Sequence, residues 1–183
     1  KPKGHKADGP NQVYSWDITY LASALKGSFY YLYLIEDIYS RKIVGWEIHE
    51  SESAAHASLL IRKTCLAEGV QPDQLVLHSD NGSPMKGATM LATLQKLGVV
   101  PSFSRPSVSD DNPFSESLFR TMKYTPSYPA KPFESIEAAR EWVHEFVQWY
   151  NEEHRHSGIR YVTPSQRHQG LDKEILEKRK AVY

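Results

Sequence analysis

Phe29 to Ile35 (FYYLYLI) contains no charged residue and no alternation of wet and dry positions. A strand with one face in water alternates, so this run reads as a central strand buried on both sides. Two strand-like segments flank it. Val13 to Tyr20 (VYSWDITY) is rich in aromatic and β-branched residues after a Pro-Asn break, and Ile43 to Ile48 (IVGWEI) follows the polar turn Ser40-Arg41-Lys42. That composition favours strands. Gly27 and Ser28 turn the chain between the first two, so the three are expected to form an antiparallel meander.

Helical spacing begins after the meander. From Ser53, an expected N-cap, Ala55, Leu59, Arg62 and Leu66 fall on one stripe, the expected packing face, and Gly69 closes the helix. A short strand, Leu75 to Leu77, ends at His78-Ser79-Asp80-Asn81-Gly82; a helix from Gly87 to Leu97 and a strand from Val99 to Phe103 follow. Alternation of this kind predicts parallel strands joined by helical crossovers. The fold class is therefore α/β: a mixed five-stranded sheet, three antiparallel strands then two parallel strands, flanked by helices. Asn112 and Pro113 have the form of a helix start, as N-cap and first helical residue. The strongest helical pattern runs from about Ser135 to about Asn151, with the stripe Ile136, Ala139, Val143, Phe146, Val147 and Tyr150. Its Trp142 and Trp149 fit a core or a subunit contact better than base stacking. Thr163, Pro164 and Gln166 match a capping box opening a final helical segment that includes Asp172 to Lys180.

Residues 1–10 are expected to be a linker, 11–170 the core and 171–183 a C-terminal helical tail. Lys1 opens without methionine, so an upstream region is expected. Arg105 to Asp111 (RPSVSDD), including Asp110 and Asp111, has the composition of a mobile loop. No apolar run approaches the roughly 20 residues needed to span a bilayer, so no membrane partner is expected. The single cysteine, Cys65, can form no intrachain disulfide and fits a reducing cytoplasm. Lysines and arginines, 22 in all, balance 22 acidic residues. A polyanion would have to be met by a local patch, or by metal ions at a site, rather than by bulk charge.

Three carboxylates stand apart by setting. Asp17 lies inside an apolar strand, Asp80 ends a strand in a Gly-containing turn, and Glu116 sits in the first turns of a helix whose dipole favours its anion. Magnesium and manganese prefer oxygen ligands, and two such ions about 4 Å apart activate an attacking oxygen and stabilise a leaving one in phosphoryl transfer. Taken singly, each residue has an ordinary alternative: a hydrogen-bonded strand aspartate, a turn former, and a favourable helix-start charge. Asp37 reads as structural.

Asp17 in WDITY, Asp80 in HSDNGS and Glu116 in NPFSESLF, with 35 residues between the last two, resemble the D,D-35-E signature of retroviral integrases and bacterial insertion-sequence transposases. The resemblance spans about Asn11 to Gln169 and includes DIYSRKIVGW and YNEEHRHSGIRYVTP. The sequence departs from the pattern at His154, where arginine is usual, at Pro84-Met85, and in the loop before Glu116. The resemblance implies a ribonuclease-H-like fold, catalysis by Asp17, Asp80 and Glu116 holding two Mg2+ or Mn2+ ions, and a helix-turn-helix region upstream. It also implies cleavage at element ends followed by strand transfer, DNA as partner (element ends and target), a homo-oligomer on DNA, and a bacterial, nucleoid-associated cytoplasmic setting. A ribonuclease-H-like nuclease that only hydrolyses, and a non-catalytic DNA-binding module derived from a transposase, are the alternatives. His78 is a candidate to support the metal ligands from behind. Lys86, Arg105, Arg120, Lys123, Arg155, His156 and Arg160 are candidate DNA contacts.

Overall fold

The computed structural model of the chain describes residues 5–105 and 112–182. Five strands form one sheet: β1 (Val13–Ala22), β2 (Phe29–Asp37), β3 (Ile43–His49), β4 (Val76–Ser79) and β5 (Val100–Phe103), in the order β3-β2-β1-β4-β5. β1 and β3 pair antiparallel with β2, and β4 lies parallel to both β1 and β5. This is the mixed sheet expected from the sequence. Residues 1–4 of the expected linker and residues 106–111 of the expected mobile loop lie outside the described residues.

The alternation along β2 shows why its sequence carries no wet face. Leu32 and Leu34 join a core with Val143, Phe146 and Tyr150 of α5 (Ile136–Glu152) and Leu118 of α4 (Pro113–Tyr124). Tyr33 and Ile35 join the opposite core with Ile61 of α1 (Ala54–Ala67), Met85 of the short α2 (Ser83–Lys86) and Met90 and Leu94 of α3 (Ala88–Leu97). Each fully buried apolar side chain contributes roughly 1.5–3 kcal/mol, so covering both faces is what makes this strand stable. β1 divides its two faces differently. Tyr14 and Trp16 face α1 and α3, whereas Ser15, Asp17 and Thr19 alternate with them and face α4.

The expected packing stripe of α1 is overturned. Leu59 is 48% and Leu66 84% exposed, and Ala55 and Arg62 are exposed too. The buried face is Ala57, Ser58, Leu60, Ile61, Thr64 and Cys65. Ser58 and Thr64 disguise it, because each hydroxyl donates to the carbonyl four residues back and can then be buried without an orphaned polar group. Gly45 of β3 completes the fit, since a Cβ there would strike the Thr64 side chain. Ser53 does cap α1 by accepting from the Ala55 N–H, and Gly69 follows in the left-handed region at φ 63°.

The capping box of Thr163 and Gln166 opens α6 (Pro164–His168), but the expected single segment is two helices. Gly170, at φ 79°, breaks it before α7 (Asp172–Lys180). The segment is fastened to the sheet by His168. Its Nδ1 lies 2.8 Å from Ser40 Oγ and 3.3 Å from Asp37 Oδ2, while its Nε2 lies 2.8 Å from Glu68 Oε2. Burial works against the imidazolium, but the hydrogen bonds to Asp37 and Glu68 outweigh it and raise the His168 pKa. A raised histidine stabilises the fold fully below its unfolded value, and that contribution fades as pH rises through the folded value. His168→Ala should therefore cost about 1–3 kcal/mol in mildly acidic buffer and less in alkaline buffer. Thermal melting of both proteins across pH 5.5 to 9 checks this; a pH-independent difference would show that the imidazolium charge is not involved.

Candidate active site

Asp17 sits near the middle of β1, opposite Leu34 of β2. On its other side the register with parallel β4 pairs Ser15 with His78. Two residues beyond that pair come Asp17, still in β1, and Asp80, just past the end of β4. Asp80 itself leaves the strand in a tight turn, with its Oδ1 accepting from the Gly82 N–H at 2.8 Å. Gly82 is needed for closeness rather than for an unusual φ, because a Cβ would fall 2.9 Å from Asp80 Oδ1 and 2.8 Å from Met85 Sδ. Asn81 ties the same turn to the carbonyl of Ser104 beyond β5.

Glu116 arrives from α4, which is pinned along β1 on both sides of Asp17. At one end Ser15 Oγ donates to Asn112 Oδ1 and lies 2.8 Å from Ser115 Oγ. At the other, Lys123 Nζ donates to Thr19 Oγ1 at 2.8 Å. Ser15 and Ser115 are fully buried and Asn112 nearly so. Asn112 stands at the expected N-cap position, but its side chain makes no capping bond in α4 and is spent on β1, accepting from Ser15 and donating to the Trp16 carbonyl. Pro113 does occupy the start of α4, and Glu116 lies in its first turn, exposed.

Burial pushes the Asp17 carboxyl up to about 7. The Ile18 N–H, which donates to Asp17 Oδ1 at 2.8 Å, offsets part of that, and the charges of Asp80, Glu116 and Glu52 add to it. The charges of the other two sequence-selected carboxylates therefore both act on Asp17. Among the described residues, no three His, Cys, Asp or Glu side chains stand close enough to hold a metal ion as they are. Asp17 and Asp80 each spend one oxygen on a backbone N–H. The donor types nevertheless suit magnesium or manganese: all are carboxylate oxygens, carried by β1, the turn after β4 and α4.

The remaining candidates divide. His78 is buried and lies 3.0 Å from Ser102 Oγ and 3.1 Å from His5 Nε2, behind the row that carries Asp80. Lys86, Arg105 and Arg120 are exposed, with the Lys86 ammonium over Phe103 and the Arg120 guanidinium over Tyr124. Lys123 is occupied by Thr19, and burial lowers its pKa. Arg155, His156 and Arg160 follow α5. There Arg155 and Arg160 are exposed, while His156 is half-buried, accepts from the Gly158 N–H, and is lowered to about 4 by burial, Arg41 and His154. Ser15 and Ser115 were not singled out from the sequence. The signal was available, since Ser15 shares a strand face with Asp17 and Ser115 is the neighbour of Glu116.

Residues 7–109 match one integrase core domain family and residues 97–164 a second family of the same description. The transposase for insertion sequence element IS904 of Lactococcus lactis subsp. lactis (strain IL1403) is 34% identical over 164 residues, covering 87% of this chain and 62% of that protein. Transposase InsF for insertion sequence IS3A of Escherichia coli (strain K12) is 29% identical over 161 residues, covering 87% and 54%. The chain thus spans a little over half the length of these curated relatives. Among solved structures, the HTLV-2 integrase catalytic core domain in complex with magnesium (trimeric form) superposes with a TM-score of 0.67 at 14% identity, over 89% of this chain and 99% of that one. A chain of the simian T-cell lymphotropic virus intasome gives 0.73 at 16% identity, over 91% and 58%. At these identities the structural likeness speaks for the fold, which is that of integrase catalytic cores.

Proposed function

The chain belongs to the integrase core domain family, and from that premise we propose that it is the catalytic core of a transposase that cuts and joins DNA strands, with Asp17, Asp80 and Glu116 holding two magnesium or manganese ions. The observation that supports this reading is electrostatic: the charges of both Asp80 and Glu116 act on Asp17, on a strand whose Ser15 pairs with His78 of β4. The ions, when bound, supply the Lewis acidity that phosphoryl transfer requires. The protein's part would be position: the turn at Gly82 would aim Asp80 and the pinned α4 would present Glu116, while the raised Asp17 carboxyl would hold a proton that a cation has to displace. DNA phosphates would be met by Lys86, Arg105 and Arg120, and a second copy of the chain on DNA is in keeping with intasome assembly of a structural neighbour. No helix among the described residues is long and apolar enough to cross a membrane.

The test is a joining assay on duplex DNA carrying the element's ends, with Mg2+ or Mn2+. Strand transfer supports the reading. Cutting without joining would assign the chain to hydrolytic nucleases, and neither activity would leave a DNA-binding module. Arg120→Ala separates grip from chemistry: DNA binding should weaken, and the slope of log affinity against log salt should fall by about 1. An unchanged salt slope in an anisotropy titration would remove Arg120 from the phosphate contacts.

A further inference from the structure

The segment after α5 contains a one-turn 3-10 helix, Ser157–Ile159, followed by Arg160 at φ 63° and Tyr161 at φ 60°. These are two successive left-handed residues, neither of them glycine, and such residues persist where something outside the turn holds them. A tight turn is needed here, because Ile159 and Val162 on either side are both buried, yet glycine would make it with less strain. Arg179 of α7 does the holding: its Nη1 donates to the Arg160 carbonyl at 2.8 Å and its Nη2 to the Tyr161 carbonyl at 3.0 Å. The strain hides nothing from water, since Arg160 is exposed and Tyr161 is 60% exposed. What the turn achieves is placement: Arg160 stands at an open cavity of about 350 Å3 whose other lining residues are Leu176, Arg179 and Lys180.

Three cations thus line one hole. Basic residues in the last turn of α7 answer the helix dipole, but that does not account for Arg160, which comes from a different element and adds to the repulsion. Counter-charge is sparse. Asp172 pairs with Arg167 and Glu174 with Lys178, while Glu177 meets Lys180 at 2.7 Å in an exposed pair of little strength. Among the described residues no carboxylate forms an ion pair with Arg160 or Arg179. A chain in which 22 basic residues balance 22 acidic ones has to meet a polyanion through such local clusters. A metal cation is repelled from this cavity, and an apolar guest would find Leu176 alone. An anion whose charge is spread over several oxygens suits cations disposed around a hole that opens to solvent. We infer that the cavity takes a backbone phosphate of the bound DNA, gripped by Arg160 and Lys180, with Arg179 as the positioning residue that keeps Arg160 in place. The inference rests on the strand-transfer reading above for the identity of the polyanion. None of Asp17, Asp80 and Glu116 lines this cavity, so its grip needs neither magnesium nor manganese.

The experiment follows the fluorescence anisotropy of a labelled DNA duplex in metal-free buffer over a range of salt. Replacing both gripping residues, Arg160→Ala with Lys180→Ala, should weaken binding about tenfold and flatten the slope of log affinity against log salt by about 1. Both side chains are exposed, so the fold should be untouched. Arg179→Lys keeps the charge and loses the fork; it should weaken binding as Arg160→Ala does, and combining these two substitutions should add little. Lys173→Ala, at an exposed position of α7 outside the cavity, should bind nearly as the wild type does. Wild-type affinity and slope in the double variant at Arg160 and Lys180 overturn the site even if strand joining is intact. A loss in Lys173→Ala as large as that of the double variant also overturns it, because net charge alone would then be at work. Wild-type binding by Arg179→Lys overturns the positioning role. If inorganic phosphate at constant ionic strength erases the difference between the wild type and the double variant, the cavity is a small-anion site and the DNA assignment fails. If the wild type joins no strands yet the variants show these losses, the cavity stands and the strand-transfer reading falls, so the two fail separately.

Discussion

Asp80→Asn should lower strand joining by about a thousandfold or more while the protein stays folded. The substitution keeps the shape of the side chain and the oxygen that accepts from Gly82, but removes one charge from a group whose proposed task is to hold two dications. A bound metal stabilises a phosphoryl-transfer transition state by several kcal/mol, and each ~1.4 kcal/mol is tenfold in rate. The metal-free fold should respond in the opposite sense. Asp17 has its folded value raised to about 7 by burial, with the Asp80 charge among the added causes. A carboxyl raised in this way stabilises the fold at low pH, and that contribution is lost as pH climbs through about 7, where Asp17 must ionise in place. Taking away the Asp80 charge eases that ionisation. The variant should therefore melt at or above the wild-type temperature in metal-free buffer at pH 8, with the gap closing toward pH 5. In magnesium the order should reverse, because only the wild type gains appreciably from the ion. Wild-type joining by the asparagine variant would refute the metal assignment whatever the melting curves show.

The sheet was legible because its residues report it directly. FYYLYLI cannot have a wet face, and the helix-strand alternation after Ser53 requires parallel neighbours. The stripe of α5 was equally plain, with Val143, Phe146 and Tyr150 apolar and buried. The face of α1 was not. Its packing depends on Ser58 and Thr64 satisfying their own hydroxyls and on a glycine in another strand, and periodicity of apolar residues sees neither.

The candidate site divides in the same way. Asp17, Asp80 and Glu116 can be picked out because a carboxylate in an apolar strand, at a strand end and at a helix start are each local anomalies, and their order and spacing resemble a known signature. What holds them in relation to one another is long-range. Ser15 meets Ser115 across 100 positions of sequence and Asn112 across 97. Asn112 does take the N-cap position that the local rule gives it, yet its side chain bonds β1 and not the helix.

That long-range clasp should matter more to rate than to stability. Ser15→Ala removes the hydroxyl that donates to Asn112 and contacts Ser115, leaving a buried amide oxygen unpaired at about 1–3 kcal/mol. The fold has two large cores and should survive. The start of α4, however, loses its tether at the point two residues from Asp17 and one from Glu116, while Lys123 on Thr19 still holds the far end. A misplacement of about 1 Å in a reacting assembly can lower a rate roughly a hundredfold, and joining should fall by about that much. Because the lever acts on the relation between carboxylates, the Mn2+ concentration for half-maximal joining should rise as well. Ser115→Ala should do the same, and the double variant should be little worse than either single one, since all three break one contact. A purely structural role predicts something else: a lower melting temperature, additive losses and an unshifted Mn2+ requirement. Joining and Mn2+ titrations on the two single variants and the double variant, each held well below its melting temperature, separate the outcomes. Additive effects with wild-type metal dependence would mean that α4 is positioned by its apolar contacts and that Ser15 is ordinary buried packing.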